Sequence, residues 1–129
     1  MTELPVVSIV DDDQSVRDGI ADLIRAIGFD AQVFERAEHF LQSSSLDCTA
    51  CLITDVRMPG MTGLELVDRL VASRKPIPTV LITAFPMDVD RSRALRAGVI
   101  GYLTKPVDEN ELVSCIMSAL SLGTTGRRE

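Results

Sequence analysis

Two rhythms of apolar residues alternate along the chain. Compact apolar runs at Val6–Val10, 51–54, 79–82 and 100–104 are separated by stretches in which apolar residues recur three and four positions apart. The first pattern predicts short buried strands and the second predicts helices packed on them. Val16, Ile20, Leu23, Ile24 and Ile27 form the stripe of a first helix that stops at Gly28. A second strand over 31–34 reads as an edge. A short helix with Ala37, Phe40 and Leu41 follows it, and the serine-rich 42–46 reads as loop. Thr62 and Glu65 have capping-box spacing ahead of a third helix whose buried stripe is Leu66, Val67, Leu70 and Val71. A fourth helix over 88–97, closed by Gly98, carries Asp88, Asp90, Arg91, Arg93 and Arg96, which leave it a thin apolar stripe and a light anchor. The fifth has Leu112, Val113, Ile116, Met117 and Leu120 on one face, with Asp108 and Glu111 placed to cap it. Strand and helix thus alternate five times. That alternation predicts one doubly wound α/β domain over residues 1–122, with a parallel sheet between helices, and leaves 123–129 as a flexible tail or the start of a linker.

The residues that end the runs add chemistry to this pattern. The first strand runs into Asp11 and Asp12, the third into Asp55, the fourth into Thr83 and the fifth into Lys105. In an open parallel sheet the carboxyl ends of the strands form the binding crevice, so these endings converge there. Taken singly, an Asp at a strand end is a cap, a Thr is a β-branched strand residue and a Lys-Pro is a surface turn. Together they are the parts of a phosphoryl-transfer site: carboxylates for a metal, a carboxylate nucleophile, a hydroxyl and an ammonium. If Asp11, Asp12 and Asp55 sit about 5 Å apart, each like-charge pair costs about 3 kcal/mol at an effective dielectric of about 20. Folding stability alone would not select that cluster.

Composition narrows the classes of function. The 129 residues are 46% hydrophobic and 25% charged, as in an ordinary globular domain. A net charge of −6 argues against direct nucleic-acid binding, which needs clustered Lys and Arg. The apolar runs are far shorter than a membrane span, and no signal peptide is evident, so a cytoplasmic protein with no membrane association is expected. Three cysteines suit a reducing compartment. Cys48 and Cys51 have the spacing of half a zinc site, with His39 upstream, but no fourth ligand is evident and Cys51 opens a strand, so they read as structural.

The motifs Val10-Asp11-Asp12-Asp13, Asp55-Val56-Arg57-Met58-Pro59-Gly60-Met61-Thr62-Gly63, Thr83-Ala84 and Tyr102-Leu103-Thr104-Lys105-Pro106 occur in this order, each after a strand. With them the chain resembles, over essentially its whole length, the receiver domains of two-component response regulators. The resemblance implies a (βα)5 flavodoxin-like fold with strand order 2-1-3-4-5. It implies that Asp55 accepts a phosphoryl group from a sensor histidine kinase, and that Mg²⁺ is held directly by Asp12, through water by Asp11, and by Asp55 and the backbone carbonyl of Arg57. Lys105 and Thr83 would contact the phosphoryl oxygens, with the small Ala84 leaving room and the Lys105-Pro106 bond cis. Thr83 and Tyr102 would relay the change to a face made by the fourth helix, fifth strand and fifth helix, the expected contact of a phosphorylation-dependent homodimer. Arg57 and Phe85 occupy variable positions that would tune the lifetime of the phosphoryl group. The Arg57–Gly63 motif looks most like receivers that precede a helix-turn-helix transcription output domain.

Two other readings fit parts of the pattern. A stand-alone receiver could act as a phosphorelay shuttle or a docking scaffold. A phosphohydrolase of the haloacid dehalogenase type would use Asp11 as nucleophile in the Asp11-x-Asp13 pair, but it leaves Asp55 without a task.

Overall fold

The computed structural model describes the backbone of residues 4–128 and the side chains of residues 4–121. Five strands, β1 (Val6–Val10), β2 (Asp30–Phe34), β3 (Thr49–Asp55), β4 (Thr79–Thr83) and β5 (Gly101–Thr104), alternate with α1 (Gln14–Ala26), α2 (Ala37–Leu41), α3 (Gly63–Ala72), α4 (Asp88–Arg96) and α5 (Glu109–Arg128). All pairings are parallel and the order is 2-1-3-4-5, as expected. The chain reverses direction across the sheet between β1 and β3, which opens a crevice at their carboxyl ends.

The strands are apolar throughout because both faces are covered. Val7, Ile9, Cys51, Ile53, Val80 and Ile82 face one layer with Ile20 and Ile24 of α1 and Leu112 and Ile116 of α5. Val10 and Leu52 face the other, with Phe40 of α2 and Leu66 and Leu70 of α3. Leu81 and Tyr102 pack there with Leu64, Val67 and Ala94.

Several local expectations need correction. Val71 is 53% and Met117 46% exposed, although the apolar periodicity places Val71 in the buried stripe of the third helix and Met117 on the apolar face of the fifth. Each follows directly after a core residue, Leu70 or Ile116, and one residue is about 100° of helical rotation, enough to turn it out of a narrow contact arc. Ala119 takes the inner position on α5 instead. The serine-rich segment carries a turn of 3₁₀ helix over Ser44–Asp47, to which the Thr49 hydroxyl donates through Ser45 O at 2.6 Å. Cys51 is buried in β3, and burial, followed by the nearby Cys115, pushes its thiol up to about 12, so it behaves as an inert core residue. The backbone of α5 continues to Arg128, past the Leu122 at which the sequence pattern fades. The side chains of the expected tail, 123–129, lie outside the described residues.

The caps form as the sequence predicts at α3 and, through the Asp108 carboxylate, at α5. The Thr62 hydroxyl accepts from Glu65 N and the Glu65 carboxylate accepts from Thr62 N, and Asp108 accepts from Glu111 N. The fourth helix is as lightly anchored as its sequence predicts: among the described residues Ala94 is the one buried side chain of α4. Charge contacts hold the rest, namely Arg93 with Asp68 of α3, Arg57 with Asp90, and Arg91 stacked 4.8 Å from the Tyr102 ring centre. Such contacts are weak when exposed. Amide hydrogen exchange followed by mass spectrometry is therefore expected to show peptides from 88–96 exchanging well ahead of those from α3, by local opening. Equal protection of the two helices would contradict this account.

Candidate functional site

The site is assembled from the carboxyl ends of β1, β3, β4 and β5. The Asp11 carboxylate follows β1 and is fully buried, while Asp55 ends β3 and is 5% exposed. Asp12 lies beside them at the surface. Carboxylate oxygens of Asp11, Asp12 and Asp55 lie within 4.8 Å of one another. Lys105, just beyond β5, places Nζ 2.9 Å from Asp11 Oδ2 and 3.1 Å from Asp55 Oδ2. The Lys105-Pro106 peptide is cis.

Neighbouring groups orient these side chains. Asp13 N donates to Asp11 Oδ1 at 2.9 Å, while the Asp13 carboxylate caps α1 by accepting from Ser15 N and Val16 N. Arg57 N donates to Asp55 Oδ1 at 3.3 Å. Thr83 is buried, and its Oγ1 accepts from Phe85 N at 3.1 Å. Ala84 beside it is exposed, as is Phe85. Tyr102 is turned inward at 7% exposure, and its hydroxyl accepts from Met87 N at 3.2 Å.

The loop after β3 is held by close approach. A Cβ on Gly63 would stand 2.3 Å from the Asp55 carbonyl oxygen, so any larger residue there would push the start of α3 off the strand. Gly60 has φ +77°, and a Cβ on it would lie 2.6 Å from Glu38 Oε2. Glu38 of α2 accepts from Met61 N at 3.0 Å. Hydrogen bonds from its own backbone N–H and from Met61 hold its carboxyl below the usual carboxylate range.

Sequence reading passed over three residues that matter here. Glu38 secures the loop, Arg17 donates from Nη1 to the Asp11 carbonyl at 2.7 Å, and Asp90 pairs with Arg57. The first-turn position of Asp90 was visible in the sequence, but its partner was not.

The electrostatics are those of a site short of positive charge. Burial, then the Asp11 charge, raises the pKa of Asp55 above the ordinary value, against the opposing pull of Lys105. Burial alone would lower the pKa of Lys105, but its close contacts with the Asp11 and Asp55 carboxylates outweigh this and raise it. The Lys105–Asp11 contact is an ion pair without hydrogen-bonding direction, so the buried Asp11 Oδ2 has no directed donor. An all-oxygen set with a buried acceptor lacking a donor fits a hard divalent cation such as Mg²⁺.

The raised pKa of Asp55 carries a definite sign. The native state holds the Asp55 proton more tightly than the unfolded chain does, so ionisation destabilises the fold at neutral pH, and stability is recovered as pH falls toward the ordinary value of 3.8. Without metal, Asp55→Asn is expected to melt about 3–6 °C above wild type for each kcal/mol relieved, measured near neutral pH. The gain should shrink on acidification. A variant melting at or below wild type near neutral pH would contradict the crowded-anion account.

Comparison with known proteins agrees with the fold and the motifs. A family model described as the response regulator receiver domain matches residues 7–117. The response regulator protein TodT of Pseudomonas putida is 37% identical over 125 residues, 95% of this chain and 54% of that protein. The transcriptional regulatory protein FixJ of Bradyrhizobium diazoefficiens is 32% identical over 123 residues, 93% of this chain and 58% of that protein. The chain therefore spans about half the length of the curated relatives it matches. The solved structure of the response regulator StyR superposes with a TM-score of 0.86 at 42% identity, covering 97% of this chain and 63% of that one. With the family model spanning most of the sequence, the chain belongs to the response regulator receiver domain family of two-component signalling.

Proposed function

We propose that this receiver accepts a phosphoryl group on Asp55 from a phosphohistidine of a sensor histidine kinase. The observation that carries the reading is the pairing of two buried carboxylates with one ammonium at a single sheet edge. A carboxylate is already an anion and needs no general base. One Asp55 oxygen attacks phosphorus, a P–O bond forms, the P–N bond breaks, and the departing imidazole nitrogen keeps the electron pair and takes a proton from solvent. Burial keeps the Asp55 oxygens more basic than an ordinary carboxylate, which favours attack. Lys105 is within reach of an oxygen on Asp55 and acts as a point charge toward the transferred group. The Thr83 hydroxyl, adjacent to the same crevice, can leave Phe85 N to donate to a phosphoryl oxygen.

Asp11, Asp12, Asp55 and the backbone carbonyl of Arg57 would hold Mg²⁺. The ion would supply charge neutralisation for the carboxylates and the incoming phosphoryl oxygens. Slow hydrolysis of the aspartyl phosphate would reset the domain, which makes it a switch and not a turnover enzyme.

The output is read through the β4–α4 loop. Tyr102 already stands inward and is held by Met87 N, so the change is expected in residues 84–87 and the first turn of α4. Phe85 is 70%, Met87 49%, Val89 73% and Leu95 59% exposed, an apolar surface on and beside α4 that suits a homodimer contact over α4, β5 and α5 once the domain is phosphorylated. Relatives named as response regulators and as a transcriptional regulatory protein make transcription the favoured output, delivered by a part of the protein other than this domain. No helix among the described residues is long and apolar enough to cross a membrane.

The phosphohydrolase reading loses support at two points. The Asp13 carboxylate that would serve as its acid is spent on capping α1, and of the two buried carboxylates its nucleophile, Asp11, is the less accessible, with no exposure against 5% for Asp55.

Intact mass after incubation with Mg²⁺ and acetyl phosphate tests the proposal. Wild type is expected to gain a single phosphoryl adduct that is absent without Mg²⁺ and absent in Asp55→Asn. An adduct of equal yield on both proteins would move the acceptor away from Asp55, and no adduct on wild type, even with a phosphorylated kinase, would leave the docking-scaffold reading.

A further inference from the structure

Arg57 touches both ends of the route from the site to α4. Its backbone N–H donates to Asp55 Oδ1 at 3.3 Å. Its side chain turns away from the carboxylates, with Nη2 2.8 Å from Asp90 Oδ2 and 2.9 Å from Met87 Sδ. Asp90 lies in the first turn of α4 and Met87 is the residue that precedes that helix. Met87 also donates its backbone N–H to Tyr102. One side chain therefore fastens the start of the most lightly anchored helix to the loop that carries the candidate acceptor.

The other cations around this region are committed elsewhere. Lys105 lies between Asp11 and Asp55, Arg17 is bound to the Asp11 carbonyl, Arg91 covers Tyr102 and Arg93 pairs with Asp68. The Arg57 side chain is 50% exposed and is attached two residues from Asp55, on a long stem that can swing. Its present charged partner is one carboxylate, in a bridge that is partly exposed to solvent.

We propose that Arg57 is a two-position arm: it pairs with Asp90 while Asp55 is unmodified and, once Asp55 is phosphorylated, is shared between Asp90 and the phosphoryl oxygens, each turn to the phosphoryl group unfastening the first turn of α4. The inference rests on the reading of Asp55 as the phosphoacceptor. The direction of exchange follows from charge and geometry. An aspartyl phosphate offers more negative charge than a carboxylate and several oxygens that match the planar guanidinium fork. Asp90, left behind, sits at a helix N-terminus, where the macrodipole favours a negative side chain even without a partner. With Ala94 the one buried side chain of α4, loss of the bridge leaves little to hold that turn. The arm also lies across the phosphoryl group in its second position and obstructs the approach of water, so it lengthens the lifetime of the phosphorylated state.

A double-mutant cycle on dephosphorylation tests this directly. Wild type, Asp90→Asn, Arg57→Ala and the double variant are phosphorylated with acetyl phosphate and Mg²⁺, freed of excess reagent, and followed by intact mass as the adduct is lost. Asp90→Asn releases the arm and is expected to slow loss at least about threefold when Arg57 is present, and to leave the rate unchanged in the Arg57→Ala background. An Asp90→Asn effect of the same size in both backgrounds, or a rate that is unchanged or faster beside Arg57, would overturn the arm. A wild type that takes no phosphoryl group would overturn the acceptor reading and the arm with it, whereas a labelled wild type without coupling would overturn the arm alone.

Discussion

Two carboxylates buried within reach of one ammonium are the constraint around which the rest of this domain is arranged. Asp11 and Asp55 lie at the ends of adjacent strands with almost no exposure, and Lys105 reaches both from just beyond β5, two strands away from β3. At separations below 5 Å each pair of anions repels by about 3 kcal/mol at an effective dielectric near 20, and one lysine cannot neutralise three carboxylates. The parallel sheet supplies rigid strand ends to hold that arrangement, and two apolar layers supply the stability to tolerate it. That deficit of positive charge, in an all-oxygen cluster, fits a divalent cation.

The same crowding explains how a local modification could travel. The loop after β3 is gripped on one side by Gly63 against the Asp55 carbonyl and on the other by Glu38 against Gly60 and Met61. It has little freedom to absorb added charge by moving as a whole. Rearrangement is then directed to the groups that can move: the Arg57 side chain, the Thr83 hydroxyl and the β4–α4 loop, which ends on a helix held mainly by charge contacts. Burial separates the firmly held helices, with three buried residues on α1 and five on α3, from α4, which among the described residues has Ala94 alone.

Most of the fold was legible because buried parallel strands must be apolar on both faces and their connections must be helical. The strand-end residues Asp11, Asp55, Thr83 and Lys105 were legible for the same reason, since connectivity alone carries them to one edge. What escaped were contacts whose specificity lies in tertiary distance. Glu38 meets Met61 across 23 residues and Arg57 meets Asp90 across 33, and in the sequence each looks like solvated helix or loop surface. Val71 and Met117 were misplaced because the width of a helix's contact arc is set by its neighbours and not by its own periodicity.

The central claim is that the carboxylate crevice binds a phosphoryl group on Asp55 with the help of a divalent cation. Fluorine-19 NMR with beryllofluoride, a phosphoryl mimic, tests it without dependence on a kinase or on turnover. The account predicts a protein-bound beryllofluoride signal in wild type that requires Mg²⁺ and vanishes in Asp55→Asn. A bound signal that persists in Asp55→Asn, or no bound signal in wild type with saturating Mg²⁺, would contradict it.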